Sequence, residues 1–484
     1  MSVDDILTIK LNSNDNVATA FNNIAKGEIT QNIKAENDIP KGHKIALKKI
    51  LKGEKIIKYD QIIGLARNDI NIGEHVHVEN TEFKSTEHDY EFSTSIRLPN
   101  FVPESQRPTF DGFKRPNGQV GTRNYIGILT SVNCSATAAR NIANAFDDNI
   151  LSQYPNVDGV VSFTHGTGCG MADSGDGFEA LQRVLLGYIQ HPNLAGVLLI
   201  GLGCEANQIK FLLDAYNLNE NPFFQTMTIQ EMGGLRKTIE EGIKRIHSML
   251  PEINQLKRSP QSVEHLSLAL QCGGSDAWSG ITSNPALGHA ADLLVKNGGT
   301  AVLAETPEIY GAEHLLTRRA INKTVGDKLV DRILWWEDYV SRNKGSLNNN
   351  PSPGNKAGGL TTILEKSLGA AAKGGTTPLN DVLLYAEKAK SKGFLFMDSP
   401  GYDPASVTGQ IATGCNLVSF TTGRGSAFGS KPSPSIKIAT NTEMYEHMKE
   451  DMDVNAGKVV TNNESIETVG TVSYTHLRAH ETYP

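Results

Sequence analysis

Residues 125–132, Tyr125-Ile-Gly-Ile-Leu-Thr-Ser-Val132, form a short apolar run that is followed by Asn133 and Cys134. Runs of this length and composition predict buried strands of a parallel sheet. Three more such runs precede a cysteine in a turn: Gly159-Val-Val-Ser-Phe163 before Cys169, Gly196-Val-Leu-Leu-Ile200 before Cys204, and Leu266-Ser-Leu-Ala-Leu270 before Cys272. Because ligands of open α/β sheets bind at the carboxyl ends of the strands, the pattern predicts an enzyme with its chemistry at this edge.

Apolar runs alternate with helical patterns around these strands. The stretch Phe178-Glu-Ala-Leu-Gln-Arg-Val-Leu-Leu186, for example, has helical spacing. Such alternation indicates βαβ units, and it predicts two α/β domains with mainly parallel sheets, over residues 111–250 and 260–470. The strands predicted for the second of these domains are Thr300-Ala-Val-Leu-Ala304, Gly393-Phe-Leu-Phe-Met397, Leu417-Val-Ser-Phe420 and Ile436-Lys-Ile438.

The two ends of the chain have a different character. Residues 1–85 contain short alternating runs such as His43-Lys-Ile-Ala-Leu47 and His75-Val-His-Val78, which predict a small β-rich domain. Residues 86–110 are polar and contain proline, as is typical of a linker. From about residue 471 we find no apolar face that would continue a helix. We therefore predict that residues 471–484 are a non-native tail in place of a final helix.

Composition restricts the class of protein. The chain has 484 residues, of which 39% are hydrophobic and 20% charged, as in ordinary globular proteins. A net charge of -7 without any basic run argues against nucleic-acid binding, and no apolar stretch approaches the roughly 20 residues of a membrane span. Five scattered cysteines and no signal peptide predict a cytoplasmic protein with reduced thiols. The oligomeric state stays open, a homo-oligomer included.

Several longer motifs, in order along the chain, resemble those of the altronate and galactarate dehydratases. The resemblance covers about residues 5–470. It is carried by Gly42-His-Lys-Ile-Ala46, Ile62-Ile-Gly64, Gly73-Glu-His-Val-His-Val-Glu-Asn80, Arg115-Pro-Asn-Gly-Gln-Val-Gly-Thr-Arg-Asn-Tyr125, His165-Gly-Thr-Gly-Cys-Gly170, Gly201-Leu-Gly-Cys-Glu-Ala-Asn-Gln208, Gln271-Cys-Gly-Gly-Ser-Asp276, Gly280-Ile-Thr-Ser-Asn-Pro285, Asn350-Pro-Ser-Pro-Gly-Asn-Lys-Ala-Gly-Gly359 and Phe420-Thr-Thr-Gly-Arg-Gly-Ser426.

This resemblance implies an N-terminal domain of the SAF type and a hydro-lyase that removes water from a small-molecule sugar acid. It also implies dependence on Fe²⁺ or a similar divalent cation such as Mn²⁺. The stretch 75–80 and Cys415 resemble the altronate branch more than the galactarate branch. We therefore predict conversion of altronate to 2-keto-3-deoxygluconate in hexuronate catabolism.

Dehydration of a 2,3-dihydroxy acid requires three kinds of group. A metal ion stabilises the enediolate charge and assists the leaving oxygen, a base and an acid transfer protons, and a cation holds the carboxylate. His43, His75 and His77 are the first metal candidates, and His43 is also a candidate base. On a strand, residues 75 and 77 point to the same face. The alternative is that the three are exposed polar residues of a small β domain.

Cys169, Cys204 and Cys272 are the second set of metal candidates, since thiolates bind iron. The alternative is that each is a small buried apolar residue, as most free cysteines are. The chain has no Cys-x-x-Cys spacing. An iron–sulfur cluster would therefore need ligands from separate loops, and this leaves an iron–sulfur hydro-lyase as an alternative class.

The remaining candidates are acids, bases and anion-binding groups in turns. Asp276 and Lys356 are proposed as catalytic together with His43. Asp276 alternatively caps the segment that follows it. The residues predicted to bind substrate are Arg123, Asn124, Ser275 and Arg424.

Other functions were compared with this one. No Walker loop, dinucleotide fingerprint or serine-hydrolase elbow is present in the sequence. The open alternatives are a galactarate or related sugar-acid dehydratase, and a non-catalytic sugar-acid-binding protein.

Overall fold

The computed structural model describes residues 7–84 and 90–479. The chain forms an antiparallel β domain followed by two units in which helices flank a parallel sheet. The predicted α/β fold class is therefore confirmed. Within these described ranges, no helix combines the length and apolar character needed to cross a membrane.

The N-terminal domain is built from three small antiparallel sheets. Their orders are β1-β2-β5-β8, β6-β7-β9 and β3-β4. The strands are β1 (Thr8–Ile9), β2 (Val17–Ala20), β3 (Ile29–Thr30), β4 (Ile33–Lys34), β5 (Lys44–Ala46), β6 (Lys55–Lys58), β7 (Gln61–Ala66), β8 (His75–Val76) and β9 (Thr81–Glu82). This confirms the predicted β-rich start of the chain.

The second unit contains a four-stranded sheet of order β13-β12-β14-β15, parallel throughout. A small antiparallel sheet, β11-β10-β16, lies at its boundary with the third unit. The strands are β10 (Thr109–Lys114), β11 (Val120–Gly121), β12 (Tyr125–Thr130), β13 (Gly159–Phe163), β14 (Leu194–Gly201), β15 (Phe224–Thr228) and β16 (Ser259–Ser262), and the helices are α1 (Ala136–Asn144), α2 (Asp148–Leu151), α3 (Asp176–Ile189), α4 (Ile209–Tyr216) and α5 (Leu235–Ile253).

The third unit is built on a seven-stranded sheet of order β19-β20-β18-β17-β21-β22-β23, also parallel throughout. Its strands are β17 (Ser267–Cys272), β18 (Thr300–Leu303), β19 (Leu379–Leu383), β20 (Gly393–Met397), β21 (Leu417–Thr422), β22 (Ser435–Ala439) and β23 (Val454–Asn455). Its helices are α6 (Ser283–Lys296), α7 (His314–Thr317), α8 (Lys323–Arg342), α9 (Pro353–Ala357), α10 (Ile363–Ala372), α11 (Asp403–Thr413), α12 (Thr442–His447), α13 (Lys458–Thr461) and α14 (Ile466–Ala479).

All four strands predicted for this unit are confirmed as β18, β20, β21 and β22. Every residue of these four strands is buried. Helices cover both faces of a parallel sheet, so its strands are continuous apolar runs rather than alternating ones. That is why their pattern was visible in the sequence.

The N-terminal domain is docked on the third unit. Ile56, Ile63 and Val76 share one apolar core with Leu368 and Ala371 of α10. The segment predicted as a linker also runs along this unit, where the Tyr90 hydroxyl donates to Glu313 Oε1 at 2.9 Å. The docking places strands β5 and β8 against the carboxyl edge of the large sheet.

The end of the chain differs from the prediction. Helix α14 continues to Ala479, and Val469, Ser473 and Leu477 are buried on the face that meets α6. The expectation that no face continues the helix is therefore wrong, because small residues such as Gly470 allow close packing without a large apolar stripe. The non-native origin of residues 471–484 stays a prediction, and residues 480–484 lie outside the described ranges.

Candidate metal centre and active site

Three histidines meet where the N-terminal domain faces the third unit. His43 directly precedes β5 and His75 begins β8, and these strands pair antiparallel with Ile45 opposite His75. His43 Nδ1 lies 2.9 Å from His75 Nε2, and the His43 and His77 ring centroids are 4.3 Å apart. One ring nitrogen from each of the three lies within 4.8 Å of the others. The histidine trio predicted from the sequence is therefore one compact group.

The environment of the trio favours neutral imidazoles. Burial lowers the pKa of His75 to about 4 and the pKa of His77 to about 3, with the neighbouring histidines and Lys44 adding to the effect. Burial also lowers the pKa of His43. Neutral imidazole is the form that binds transition metals. Nδ1 of His77 is buried without a hydrogen-bond partner in the described structure, so the group fits a bound divalent cation.

A buried ion network fixes the trio against the third unit. Lys44 Nζ lies 2.9 Å from Glu365 Oε2, and Lys58 Nζ lies 2.8 Å from Glu365 Oε1. Lys44 Nζ also donates to the Gly359 carbonyl at 2.7 Å. All three charged side chains are buried. Sequence analysis missed this network, and the only signal was a pair of lysines inside short apolar strands.

A cavity of about 290 Å³ has a direct neighbour of His43 in its wall, although none of the three histidines lines it. Its wall includes Ala357, whose carbonyl oxygen lies 3.3 Å from His43 Nε2. Gly359 has a φ of +100°, and a Cβ there would lie 2.2 Å from the Gly42 carbonyl oxygen. Glycine is therefore required for the loop 357–359 to approach the residue before His43. The other residues of the wall are Lys41, Asp276, Trp278, Gly358, Gly423, Arg424, Asn441, Glu443, Met444 and His447.

Asp276 caps a turn and also lines the cavity. Its Oδ1 accepts from the backbone N–H groups of Trp278 and Ser279 at 3.0 and 2.9 Å. Its Oδ2 accepts from Thr440 Oγ1 and Asn441 Nδ2. The carboxylate therefore caps the turn after β17 while it lines the cavity, and burial raises the pKa of Asp276.

Three other residues predicted for the site lie near Asp276 and differ in their exposure to solvent: Arg424, Ser275 and Lys356. Arg424 is exposed in the cavity wall. Ser275 is buried, and its carbonyl oxygen accepts from Asn355 Nδ2 at 2.8 Å. Lys356 is half-buried on α9, while its neighbour Ala357 forms the cavity wall. Arg424 thus has the position expected of a carboxylate-binding group.

Arg123 and Asn124 do not reach this site. They precede β12, at the amino-terminal edge of the second sheet, whereas ligands bind at the carboxyl edge. Asn124 is fully buried, accepts from Arg115 Nη1 at 2.7 Å and donates to the Asn156 carbonyl at 2.6 Å. This corrects the prediction that the pair binds substrate, because the motif around them holds the strand in place.

The cysteines predicted as one ligand set are separated. Cys272 ends β17 in the third unit and is buried, whereas Cys169 and Cys204 are exposed in the second unit. Cys272 Sγ lies 2.9 Å from Lys373 Nζ and 3.6 Å from Glu308 Oε2. Burial raises the pKa of Cys272 to about 11. The three therefore do not form a common iron site.

Sequence analysis missed a second group of titratable side chains around Cys272. Ligand atoms of Cys272, Glu305 and Glu308 lie within 4.8 Å of one another. Lys366 Nζ lies 2.6 Å from Glu308 Oε1, and both line a cavity of about 550 Å³. Because Lys366 follows Glu365 on α10, one helix contacts both this group and the ion network beside the trio.

Comparison with protein families covers almost the whole chain. Residues 6–84 match the altronate/galactarate dehydratase SAF domain. Residues 112–254 match the second domain of D-galactarate dehydratase/altronate hydrolase, and residues 263–479 match the C-terminal domain of D-galactarate/altronate dehydratase.

Individual relatives are similar over most of their length. The chain is 39% identical to an altronate dehydratase of Bacillus subtilis over 93% of its length and 90% of the relative. It is 37% identical to an altronate dehydratase of Escherichia coli, with the same coverage. It is 35% identical to the galactarate dehydratase (L-threo-forming) of Escherichia coli, over 96% of its length and 90% of the relative.

Proposed function

The chain belongs to the altronate/galactarate dehydratase family of sugar-acid hydro-lyases, and from this premise we propose that it converts altronate to 2-keto-3-deoxygluconate in hexuronate catabolism. The observation that carries the proposal is the histidine trio beside the cavity lined by Asp276 and Arg424. Two altronate dehydratases are among its similar relatives, at 39% and 37% identity.

We assign a divalent cation, Fe²⁺ or Mn²⁺, to His43, His75 and His77. The support is the set of three neutral imidazoles and the unpartnered Nδ1 of His77. When bound, such a cation supplies Lewis-acid polarisation of substrate oxygens. His43 then acts as a ligand rather than as the base.

The charges of the cavity favour a substrate with one carboxylate. Lys41 and Arg424 are the lysine and arginine of its wall. Lys41 Nζ is paired with Glu443 Oε2 at 2.8 Å, whereas the Arg424 guanidinium has no hydrogen-bond or ion-pair partner in the described structure. A guanidinium binds one carboxylate through two parallel hydrogen bonds. Altronate carries one carboxylate and galactarate carries two, so this arrangement supports altronate.

The reaction removes the proton next to the carboxylate, expels the neighbouring hydroxyl group as water, and leaves an enol that tautomerises to the 2-keto-3-deoxy acid. We assign the proton transfer to Lys356, whose Nζ has no hydrogen-bond partner among the described residues. Lys356 directly precedes Ala357, which is a residue of the cavity wall. The Asp276 carboxylate already accepts several hydrogen bonds. Asp276 therefore orients the wall rather than serving as a free base.

The test is a substrate panel. Purified protein with Fe²⁺ under reducing conditions is incubated with altronate, galactarate, mannonate and glucarate, and 2-keto acid is measured. We expect the highest kcat/KM with altronate. Preference for galactarate would overturn the assigned substrate, and no turnover of any of the four would overturn the dehydratase function.

A further inference from the structure

Three of the five cysteines are exposed, and all three lie at one edge of the sheet in the second unit. Free cysteine is among the residue types most often buried. Cys272 and Cys415 follow this rule, whereas Cys134, Cys169 and Cys204 do not. These three follow β12, β13 and β14, which are parallel neighbours with β12 in the centre. Packing does not explain their shared position.

The loops after β12 and β13 are in direct backbone contact. The Asn133 N–H donates to the Thr167 carbonyl at 2.9 Å. Gly168 has a φ of +98°, and a Cβ there would lie 2.3 Å from the Ser131 carbonyl oxygen. Only glycine allows the two loops to approach this closely. Asn133 directly precedes Cys134, and both Thr167 and Gly168 lie within two residues of Cys169.

The loop after β14 forms hydrogen bonds to the loops after β12 and β13. The Ala206 N–H donates to the Cys169 carbonyl at 3.3 Å, and the Asn207 N–H donates to the Gly168 carbonyl at 3.1 Å. Asn207 Nδ2 also donates to the Ser131 carbonyl at 2.9 Å. Each of the three cysteines therefore lies within two residues of a hydrogen bond that joins its loop to another.

Among the described residues, the three loop cysteines do not form a group close enough for a single ion. The described residues include two groups whose ligand atoms all lie within 4.8 Å of one another, the histidine trio and the group around Cys272. The three loop cysteines belong to neither group. Ligands of one ion must be that close, whereas a cluster with several iron atoms is wide enough to bond thiolates from separate loops.

We infer that the thiolates of Cys134, Cys169 and Cys204 hold an iron–sulfur cluster of the [4Fe–4S] class at this edge. Each thiol loses its proton when its sulfur bonds to iron, and binding of a preassembled cluster needs no electron transfer. Gln230 Nε2 donates to Cys204 Sγ at 3.3 Å, which is the kind of hydrogen bond that tunes cluster sulfurs.

Three thiolates leave one iron of such a cluster without a cysteine ligand. That iron is available to water or to an oxygen of a hydroxy acid. The loop around Cys169 leaves room, because a Cβ added at Gly166, Gly170 or Gly177 would meet no atom within 4 Å. The inference does not rest on the function proposed for the histidine trio, since the two sites lie in different units.

The test measures iron and acid-labile sulfide after anaerobic reconstitution with Fe³⁺, sulfide and excess dithiothreitol, followed by desalting. The dithiol supplies the two electrons that convert four Fe³⁺ into the two Fe³⁺ and two Fe²⁺ of the cluster. We expect about four sulfides per chain and about four iron atoms in addition to any ion held by the histidine trio, with a cluster visible by electron paramagnetic resonance after reduction with dithionite. Cys134→Ser, Cys169→Ser and Cys204→Ser should each lose most of the sulfide. Cys272→Ser, a cysteine of the other sheet, and His43→Ala should retain it. Wild-type protein without sulfide, or an equal loss in Cys272→Ser, would overturn the inference.

A second measurement uses the wild-type protein, so that it does not depend on whether the variants fold. The reconstituted protein is treated with iodoacetamide, and the alkylated cysteines are mapped by mass spectrometry. We expect the three loop cysteines to be protected until the cluster is removed by a chelator and an oxidant. Equal alkylation before and after removal, or a disulfide between two of these cysteines in anaerobic protein, would contradict the cluster.

Discussion

Lys44 Nζ lies 2.9 Å from Glu365 Oε2, and both side chains are fully buried. This contact joins the strand that begins after His43 to the first turn of α10. Its second half, from Lys58 to the other oxygen of Glu365, is equally buried. The position of the histidine trio on the third unit therefore depends on one carboxylate.

Glu365→Gln should destabilise the protein strongly. The change leaves two buried ammonium groups without a counter-charge, and breaking a buried ion pair typically costs about 3–5 kcal/mol. The free energy of unfolding from urea titrations measures the effect. Glu240→Gln removes an exposed partner of Arg236 and is the control, for which we expect little change. Equal stability of Glu365→Gln and wild type would show that the network does not hold the domains together.

Substitution of His43, His75 or His77 by alanine should lower Fe²⁺ or Mn²⁺ affinity more than about tenfold, since loss of even an outer partner of a metal ligand costs about 10–100-fold. Isothermal titration and metal analysis after dialysis measure this effect. His247 is exposed on α5 and lies outside the site, so His247→Ala is the control. Unchanged affinity in all three variants would remove the trio from the metal site.

Arg424→Ala should raise KM for altronate and lower kcat/KM by about 10–100-fold, as expected when a charged hydrogen bond of 1.5–3 kcal/mol is lost.

Glu443→Gln should shift the substrate preference toward galactarate. It releases Lys41 from its ion pair and so offers a second cation to a dicarboxylate. We expect a rise in the galactarate-to-altronate ratio of kcat/KM, and a fall in that ratio would contradict the assigned roles of these charges.

His191 should make stability depend on pH. Burial lowers the pKa of His191 to about 4, the nearby Arg115 charge adds to this effect, and the hydrogen bond to the Cys415 carbonyl opposes it. The unfolded value is about 6.5, so the folded state binds fewer protons. The contribution of neutral His191 to the free energy of unfolding is therefore present above pH 6.5 and is lost as the pH falls toward 4.

The measurement for His191 is the free energy of unfolding at several pH values. His191→Gln cannot titrate in this window, so we expect a smaller loss of stability between pH 6.5 and 4 than in wild type. Parallel curves for the two proteins would show that His191 does not contribute to the pH dependence.

Local patterns predicted the strands well because burial on both faces leaves a continuous apolar run. They also paired His75 with His77, since alternate residues of a strand share a face, and the structure brings both rings close to His43. The same reasoning misplaced Arg123 and Asn124, because a motif shows which residues are special and not at which end of a sheet they lie. It also missed Glu365, which has no unusual neighbours along the helix.

The sequence by itself determined the parallel strands, the β-rich start, the family, and the placing of cysteines after strands. Only the tertiary structure decided which of these cysteines share a surface. Cys272 belongs to the seven-stranded sheet, whereas Cys134 joins Cys169 and Cys204 because β12 lies between β13 and β14. The physical reason is that periodicity reports the burial of one segment at a time. The order of strands, and so the meeting of their loops, is set by packing between segments far apart in the chain.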